Sequence, residues 1–278
     1  MRPLRRCEFH NDVYFKVVQP LRHHRDQVTA AAPSAPGLMA RVGHLLFKSR
    51  DLLFPVLMLV IGFGTRPRVA FGDTRLDHLV DVVGVLVSLS GQALRVMVIG
   101  LVYITRGGQN RQVWANALVD GGMFAHCRNP LYVGNALIVL GLAIVHNGWA
   151  MYLIAVPAFV VAYACIVAAE EEYLFGRFGD TYVQYCQRVP RWVPSLRGLS
   201  RTIQDGSFDW LKVLRKEYGT PFGWMSGALV LLVWEHQSPS ASPIGSNELN
   251  AIIGTWVALA VAYVIVRTLK LRGYIGTA

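Results

Sequence analysis

The chain has 278 residues, 53% of them hydrophobic and only 16% charged. Soluble domains carry about 25% charged residues, and a soluble fold of this length has too little interior to hide so much apolar surface. The same excess excludes a disordered chain. The 27 Lys+Arg against 17 Asp+Glu leave a net charge of +10. No basic stripe interleaved with aromatics accompanies it, so nucleic acid is not an expected partner. The surplus fits cytoplasmic loops and the anionic headgroups of membrane lipids. The four cysteines, Cys7, Cys127, Cys165 and Cys186, form no CxxC pair and no metal spacing. They are expected to be unpaired thiols in a reducing compartment, and no metal ligand set is expected.

Residues 1–41 read as a basic, Pro- and Ala-containing arm without a span or a signal-peptide core. Within it, Val13 to Val18 has the composition to lie on a membrane surface. Apolar runs then predict six spans: Leu45–Gly64, Leu79–Ile104, Leu131–His146, Trp149–Ala169, Phe222–Trp234 and Ala251–Val266. Only His146-Asn147-Gly148 separates the third from the fourth, which predicts a tight antiparallel hairpin. Phe208–Tyr218, with Lys212, Arg215 and Lys216, predicts an amphipathic surface helix. Trp149, Trp192, Trp210, Trp224, Trp234 and Trp256 are expected to be interfacial anchors. The expected fold is all-α and polytopic. It divides into a basic arm (1–41), a membrane core (42–199), and an amphipathic segment with a C-terminal transmembrane hairpin (200–278).

With both termini placed in the cytoplasm, the inner segments hold 23 Lys+Arg and the outer loops three, Arg66, Arg68 and Arg75. That asymmetry predicts a multi-pass integral membrane protein with both ends inside. The remaining cation, Arg95, lies within the second span one turn after Gln92. An intramembrane cation is a functional candidate, here for substrate or lipid phosphate, with an interhelical partner as its plainer role.

Two polar segments are brought to one membrane face by the hairpin. One runs from Thr105 to Asn129, and the other begins at Glu170-Glu171-Glu172. Three carboxylates at the negative end of a helix repel one another and the helix dipole, so a mere stop signal would be better built from Lys or Arg. Arg128-Asn129-Pro130-Leu131-Tyr132 has the pattern of a helix start, with Asn129 as N-cap and Pro130 at the first helical position.

The stretch Gly122 to Gly134 resembles the G-x-[YF]-x-x-x-R-[HN]-P-x-Y-x-G element of the isoprenylcysteine carboxyl methyltransferase and phospholipid methyltransferase group. Glu170-Glu171, Leu174, Phe178-Gly179, Tyr182, Tyr185 and Val189-Pro190-Arg191 resemble its second element. The resemblance spans about residues 105–195. It implies a membrane-embedded enzyme that transfers methyl from S-adenosyl-L-methionine, held in a cytoplasm-facing pocket, to a lipophilic small-molecule or lipid acceptor. Carried over by position, the cofactor contacts are Gln109, Asn116, Ala117, Leu118, Val119, Phe124, Asn129, Pro130, Leu131, Tyr132 and Glu170. Arg128 and Glu171 fall to the catalytic step. Asn129 stands where many members have histidine. Ile166 stands where the prenylcysteine enzymes have an arginine for the substrate carboxylate, and it shares a face with Glu170 at i, i+4. It therefore predicts a neutral or lipid-like acceptor, with Arg95 as a second substrate-side candidate. A phospholipid-amine N-methyltransferase is the alternative within enzymes. A transporter or scaffold is the alternative outside them, disfavoured by the lack of repeat symmetry and of broken midplane spans.

Overall fold

In the computed structural model the described residues are 37–101, 106–109, 112–115, 117–236 and 244–275. Most of the 1–41 arm, with Cys7 and Val13–Val18, lies outside them, as do Asn116 and all of residues 237–243. The described elements are α1 (Leu38–Gly64), α2 (Thr74–Leu101), β1 (Arg106–Gln109), β2 (Gln112–Ala115), α3 (Pro130–His146), α4 (Val156–Phe178), α5 (Asp180–Arg188), α6 (Leu199–Asp205), α7 (Trp210–Glu217), α8 (Gly219–Glu235) and α9 (Ser246–Leu271).

The all-α expectation needs one correction. β1 and β2 form an antiparallel hairpin with Arg106 opposite Ala115 and Gln109 opposite Gln112. Glycines at 107 and 108 lower helix propensity there. Each predicted apolar run falls on a helix. By length and composition three helical stretches can cross a bilayer: Arg75–Leu101, Met151–Phe178 and Ser246–Leu271. Leu53–Gly64 and Pro130–His146 are apolar but shorter, and α8 has only 17 residues. Outward apolar side chains line these helices, including Leu79 and Leu86 on α2, Val160 and Val161 on α4, and Val261 and Ile265 on α9. Hydrocarbon accommodates such faces where water does not.

Two tight pairings organise the bundle. In α2 against α3, Gly84 and Gly91 face Gly141 and Gly134, and Ser88 donates from Oγ to Ile138 O at 3.2 Å. A Cβ on Gly84 would lie 2.7 Å from Gly141 O, and one on Gly91 would lie 2.5 Å from Gly134 O. With lipid outside, backbone approach through small residues is what holds such helices together. Gly91→Ala is therefore expected to push the pair apart and cost about 1–2 kcal/mol, as overpacking does. Thermal unfolding in detergent measures it, and Gly254→Ala, with open space beside it, is the control. In the second pairing α1 meets α4. Gly43 lies against the Cys165 backbone, and Phe47, Phe159, Tyr163 and Ile166 form the shared core.

The turn between α3 and α4 is fixed by His146, which is 1% exposed. Its Nδ1 accepts from Gly148 N at 3.2 Å, so Nε2 carries the proton and donates to Gly62 O at 3.0 Å. Asn147 takes the left-handed conformation (φ 50°) that ends helices, and a π turn at Met151–Ala155 leads into α4.

One expectation differs from the packing. Trp224 is buried and donates to Gln92 Oε1 at 3.0 Å, so it is a core residue rather than an anchor. α7 falls within the segment expected to be an amphipathic surface helix, and its apolar side is the outward one. Lys212 and Glu217 are buried, whereas Trp210, Leu211 and Leu214 face outward. Glu217 is drawn inward by Arg95, which leaves the apolar side to the surroundings.

Candidate active site

The segment before α3 and the segment after α4 are clamped to each other. Arg128 N donates to Pro190 O at 2.9 Å and Asn129 Nδ2 to Arg191 O at 3.1 Å. Tyr185 Oη donates to Phe124 O at 2.9 Å. His126 is a structural residue here. Its Nδ1 lies 2.9 Å from Ser195 O, so it carries the proton, and Nε2 accepts from Thr202 Oγ1 at 2.9 Å. Cys127 is fully buried with Sγ 3.3 Å from Trp192 O, and burial pushes its thiol pKa up. A thiol kept protonated is a poor nucleophile. Cys127, Cys165 and Cys186 are all free.

Asn129 occupies the N-cap position of α3, but its side chain makes no capping bond; it is committed to Arg191 O. The amides that follow are nearly all used. Pro130 has none, and those of Tyr132 and Val133 go to Asn129 O at 3.1 Å each. Leu131 N–H takes no such bond, and Leu131 lines the cavity described next.

At this end of the bundle lies a cavity of about 430 Å³, within the usual range for small-molecule sites. Arg128, Asn129, Pro130, Leu131 and Tyr132 form one wall with Phe124. Glu170 and Tyr163 of α4 form another, and Arg50, Phe54 and Pro55 of α1 a third. Arg95, Asn135 and Thr220 complete it. A polar relay crosses the cavity: Arg50 Nη1 donates to Tyr132 Oη at 3.2 Å, and Tyr132 Oη donates to Glu170 Oε1 at 2.6 Å. The Arg50 guanidinium stacks 4.1 Å from the Phe47 ring centroid.

Beside the cavity, Glu171 ties both segments together. It accepts from Arg128 Nη1 at 3.2 Å and from Arg191 Nη2 at 2.8 Å. Glu171 itself does not line the cavity, whereas Arg128 does. Arg128 also donates to Cys186 Sγ at 2.9 Å.

Arg95 is held from three sides. Nε and Nη2 grip Glu217, Nη2 at 2.9 Å, and Nη1 donates to Asn135 Oδ1 at 2.6 Å. Gln92 Nε2 also reaches Glu217 at 3.1 Å. The interhelical partner is thus present, and the same side chain lines the cavity.

Ile166 is placed elsewhere. It is 0% exposed, packed in the α1–α4 core, and absent from the cavity wall. Phe47 of α1 covers that face of α4 one turn before Glu170 opens to Tyr132. In this packing Ile166 does not face the cavity. Of the strip after β2, half-buried Leu118 packs on the Leu174–Tyr182–Tyr185 cluster, and Val119 on Phe124 and Val98. Ala117, Leu118 and Val119 do not line the cavity, and Gln109 ends β1. Arg50, Phe54, Tyr163, Asn135 and Thr220 were missed from the sequence. Only the i, i+3 spacing of Tyr132 and Asn135 hinted at a shared face.

These features define a helical, membrane-type domain with a cavity at one end whose walls carry several polar and charged groups. Residues 81–181 match the family model described as phospholipid methyltransferase, in keeping with the resemblance carried by the two motifs. The chain is similar to the cobalt-zinc-cadmium resistance protein CzcN of Cupriavidus metallidurans, 34% identical over 97 residues, which are 34% of this chain and 44% of that protein. It is also similar to a protein-S-isoprenylcysteine O-methyltransferase of Schizosaccharomyces pombe, 32% identical over 77 residues, 28% of this chain and 33% of that one. The nickel-cobalt-cadmium resistance protein NccN of Alcaligenes xylosoxydans xylosoxydans is 30% identical over 79 residues, 28% of this chain and 37% of that one. In each case the match spans less than half of the relative's length. No solved structure matches the chain.

Proposed function

We propose that the chain is an integral membrane methyltransferase that uses S-adenosyl-L-methionine to methylate a lipophilic or lipid-embedded acceptor. The observation that carries this is the cavity itself, whose walls include Phe124, Arg128 to Tyr132 and Glu170 from the two family motifs. The donor set suits the cofactor. Glu170, already accepting from Tyr132, has the charge to accept from a ribose or an ammonium. Leu131 N–H at the start of α3 suits a carboxylate, and the rings of Phe124 and Tyr132 suit a cation. Gln109, Asn116, Ala117, Leu118 and Val119 keep their cofactor assignment through the family resemblance alone.

When bound, S-adenosylmethionine supplies an electrophilic methyl group on a sulfonium. The chain's part is positioning and exclusion of water, which supply most of the rate in such a displacement. Phe54, Pro55 and Tyr163 give the acceptor an apolar wall. Arg95 is already neutralised by Glu217, so it orients polar groups through Asn135 rather than acting as an open anion site. Arg128 stands at the cavity with Glu171 and Arg191 behind it, which holds its guanidinium in place for the reacting groups.

The name of the yeast relative supports a prenylcysteine acceptor and the family name a phospholipid amine. With Ile166 inside the core, neither is disfavoured by that residue. Methyl transfer from labelled cofactor to a prenylcysteine analogue, beside a panel of membrane lipids, separates them. Transfer to any lipophilic acceptor supports the proposal, and no transfer with no S-adenosylhomocysteine binding defeats it.

The charge asymmetry further supports both termini and the cavity on the cytoplasmic side. A cysteine placed at Ser240 is expected to label from outside and one at Ser200 from inside. The reverse pattern would put the cavity on the wrong face.

A further inference from the structure

At the opposite end of the bundle, three carboxylates from distant parts of the chain converge. Asp77 and Asp81 stand one turn apart at the start of α2, and Glu235 is the last residue of α8. One oxygen from each lies within 4.8 Å of the other two. Asp81 and Arg95 are fourteen residues apart on one helix, about 21 Å at 1.5 Å per residue, so this cluster is separate from the cavity.

Two of the three have no structural duty that accounts for burial. Asp77 closes the preceding turn by accepting from Ala70 N at 2.7 Å, and it shares a carboxyl hydrogen bond with Glu235. Asp81 Oδ1 and Glu235 Oε1, however, are both enclosed and accept no hydrogen bond. Glu235 is only 4% exposed. Among the described residues no lysine or arginine pairs with any of the three. The neighbouring histidine does not fill the gap, because His236 turns its Nδ1 to Leu232 O at 2.8 Å and its Nε2 toward Glu248. Buried oxygens without donors are costly and call for an explanation. Like charges one helical turn apart repel, and buried anions are tolerated when they are paired or bind a metal.

We infer that Asp77, Asp81 and Glu235 bind a divalent cation of calcium size at this end of the bundle. The donors are all oxygen, which selects hard cations over soft ones. Two ligands of one ion sit at most two bond lengths apart, about 4.6–5.2 Å for Ca²⁺ but only about 4.0–4.2 Å for Mg²⁺. All three separations fall within the reach of the larger ion. Half-exposed Asp81 leaves room for waters to complete the coordination. Binding would tie the beginning of α2 to the end of α8. From the sequence no metal set was visible, because an Asp-x-x-x-Asp pair is common and Glu235 lies some 150 residues away.

The test is calorimetric titration of the purified full chain in detergent with Ca²⁺ alone and with Mg²⁺ alone. One Ca²⁺ per chain, held more tightly than Mg²⁺, is expected. Asp81→Asn and Glu235→Gln should each weaken Ca²⁺ binding about tenfold or more, by comparison with losses seen when even supporting groups of metal sites are removed. Glu248→Gln should leave it unchanged. Circular dichroism and gel filtration identify any variant that has failed to fold. A Ca²⁺-dependent rise in the unfolding temperature of the unaltered chain, lost in Glu235→Gln, gives a second readout. No Ca²⁺ binding by the unaltered chain, or binding unchanged in both folded variants, overturns the inference.

Discussion

Arg95→Ala is expected to cost about 3–5 kcal/mol of stability, the range for stranding a buried charge. Glu217 is 2% exposed and its carboxylate is met by the Arg95 fork and by Gln92 Nε2. Remove the guanidinium and a full negative charge stays inside with one amide donor. Arg95 also joins three elements, since Glu217 ends α7, Asn135 sits on α3 and Thr220 begins α8. Arg95→Lys keeps the charge but not the planar fork, so it should recover only part of the loss. The double variant Arg95→Ala with Glu217→Gln removes the stranded charge and should be less damaged than Arg95→Ala alone. Urea unfolding in detergent measures all three. A loss below about 1 kcal/mol for Arg95→Ala, the value of an exposed pair, would mean that water reaches Glu217 and replaces the guanidinium.

The same contact marks the boundary of what the sequence can tell. Hydropathy located the apolar runs because a helix meant for lipid must be apolar over most of its length. For the same reason it could not say which helix meets which. When nearly every side of α2 is apolar, no stripe marks the face toward α3. The markers are the small residues Gly84, Ser88 and Gly91 against Gly134 and Gly141, which are readable only once the partner helix is known. Arg95 and Glu217 are 122 residues apart, and Glu217 sat within a segment that suggested only an amphipathic surface helix.

The two family motifs pointed to one end of the bundle because the short turn after α3 leaves α3 and α4 with little freedom. Ile166 shows the limit of face arguments. Its i, i+4 relation to Glu170 does put both on one side of α4, yet α1 crosses that side between them. Phe47 seals the position of Ile166 while Arg50, one turn further along α1, stands over the open cavity. Periodicity fixes direction around a helix axis; the crossing of the neighbouring helix decides what that direction meets.

Glu170→Ala is expected to weaken S-adenosylhomocysteine binding by about 1.5–3 kcal/mol, the worth of a charge-assisted hydrogen bond, or roughly 10- to 150-fold in Kd. This rests on the proposed cofactor site. Glu170 is 8% exposed and its Oε1 accepts from Tyr132 Oη at 2.6 Å, so its carboxylate is already aimed along the cavity wall. Tyr132→Phe keeps the ring and removes the hydroxyl that links Arg50 to Glu170. It should cost less, about 0.5–1.5 kcal/mol, as for a neutral hydrogen bond. Glu172→Ala is the control, because Glu172 does not line the cavity and should leave affinity nearly unchanged. Calorimetric titration of the three variants, with unfolding temperatures recorded on the same samples, separates a binding loss from a folding loss. A graded order, Glu170 over Tyr132 over Glu172, is what a carboxylate gripping the ligand through a prepared relay produces. Equal and near-zero effects at 170 and 172 would mean that the acidic run only ends α4 at the membrane face, and the cofactor would then have to be held by the α3 side of the cavity alone.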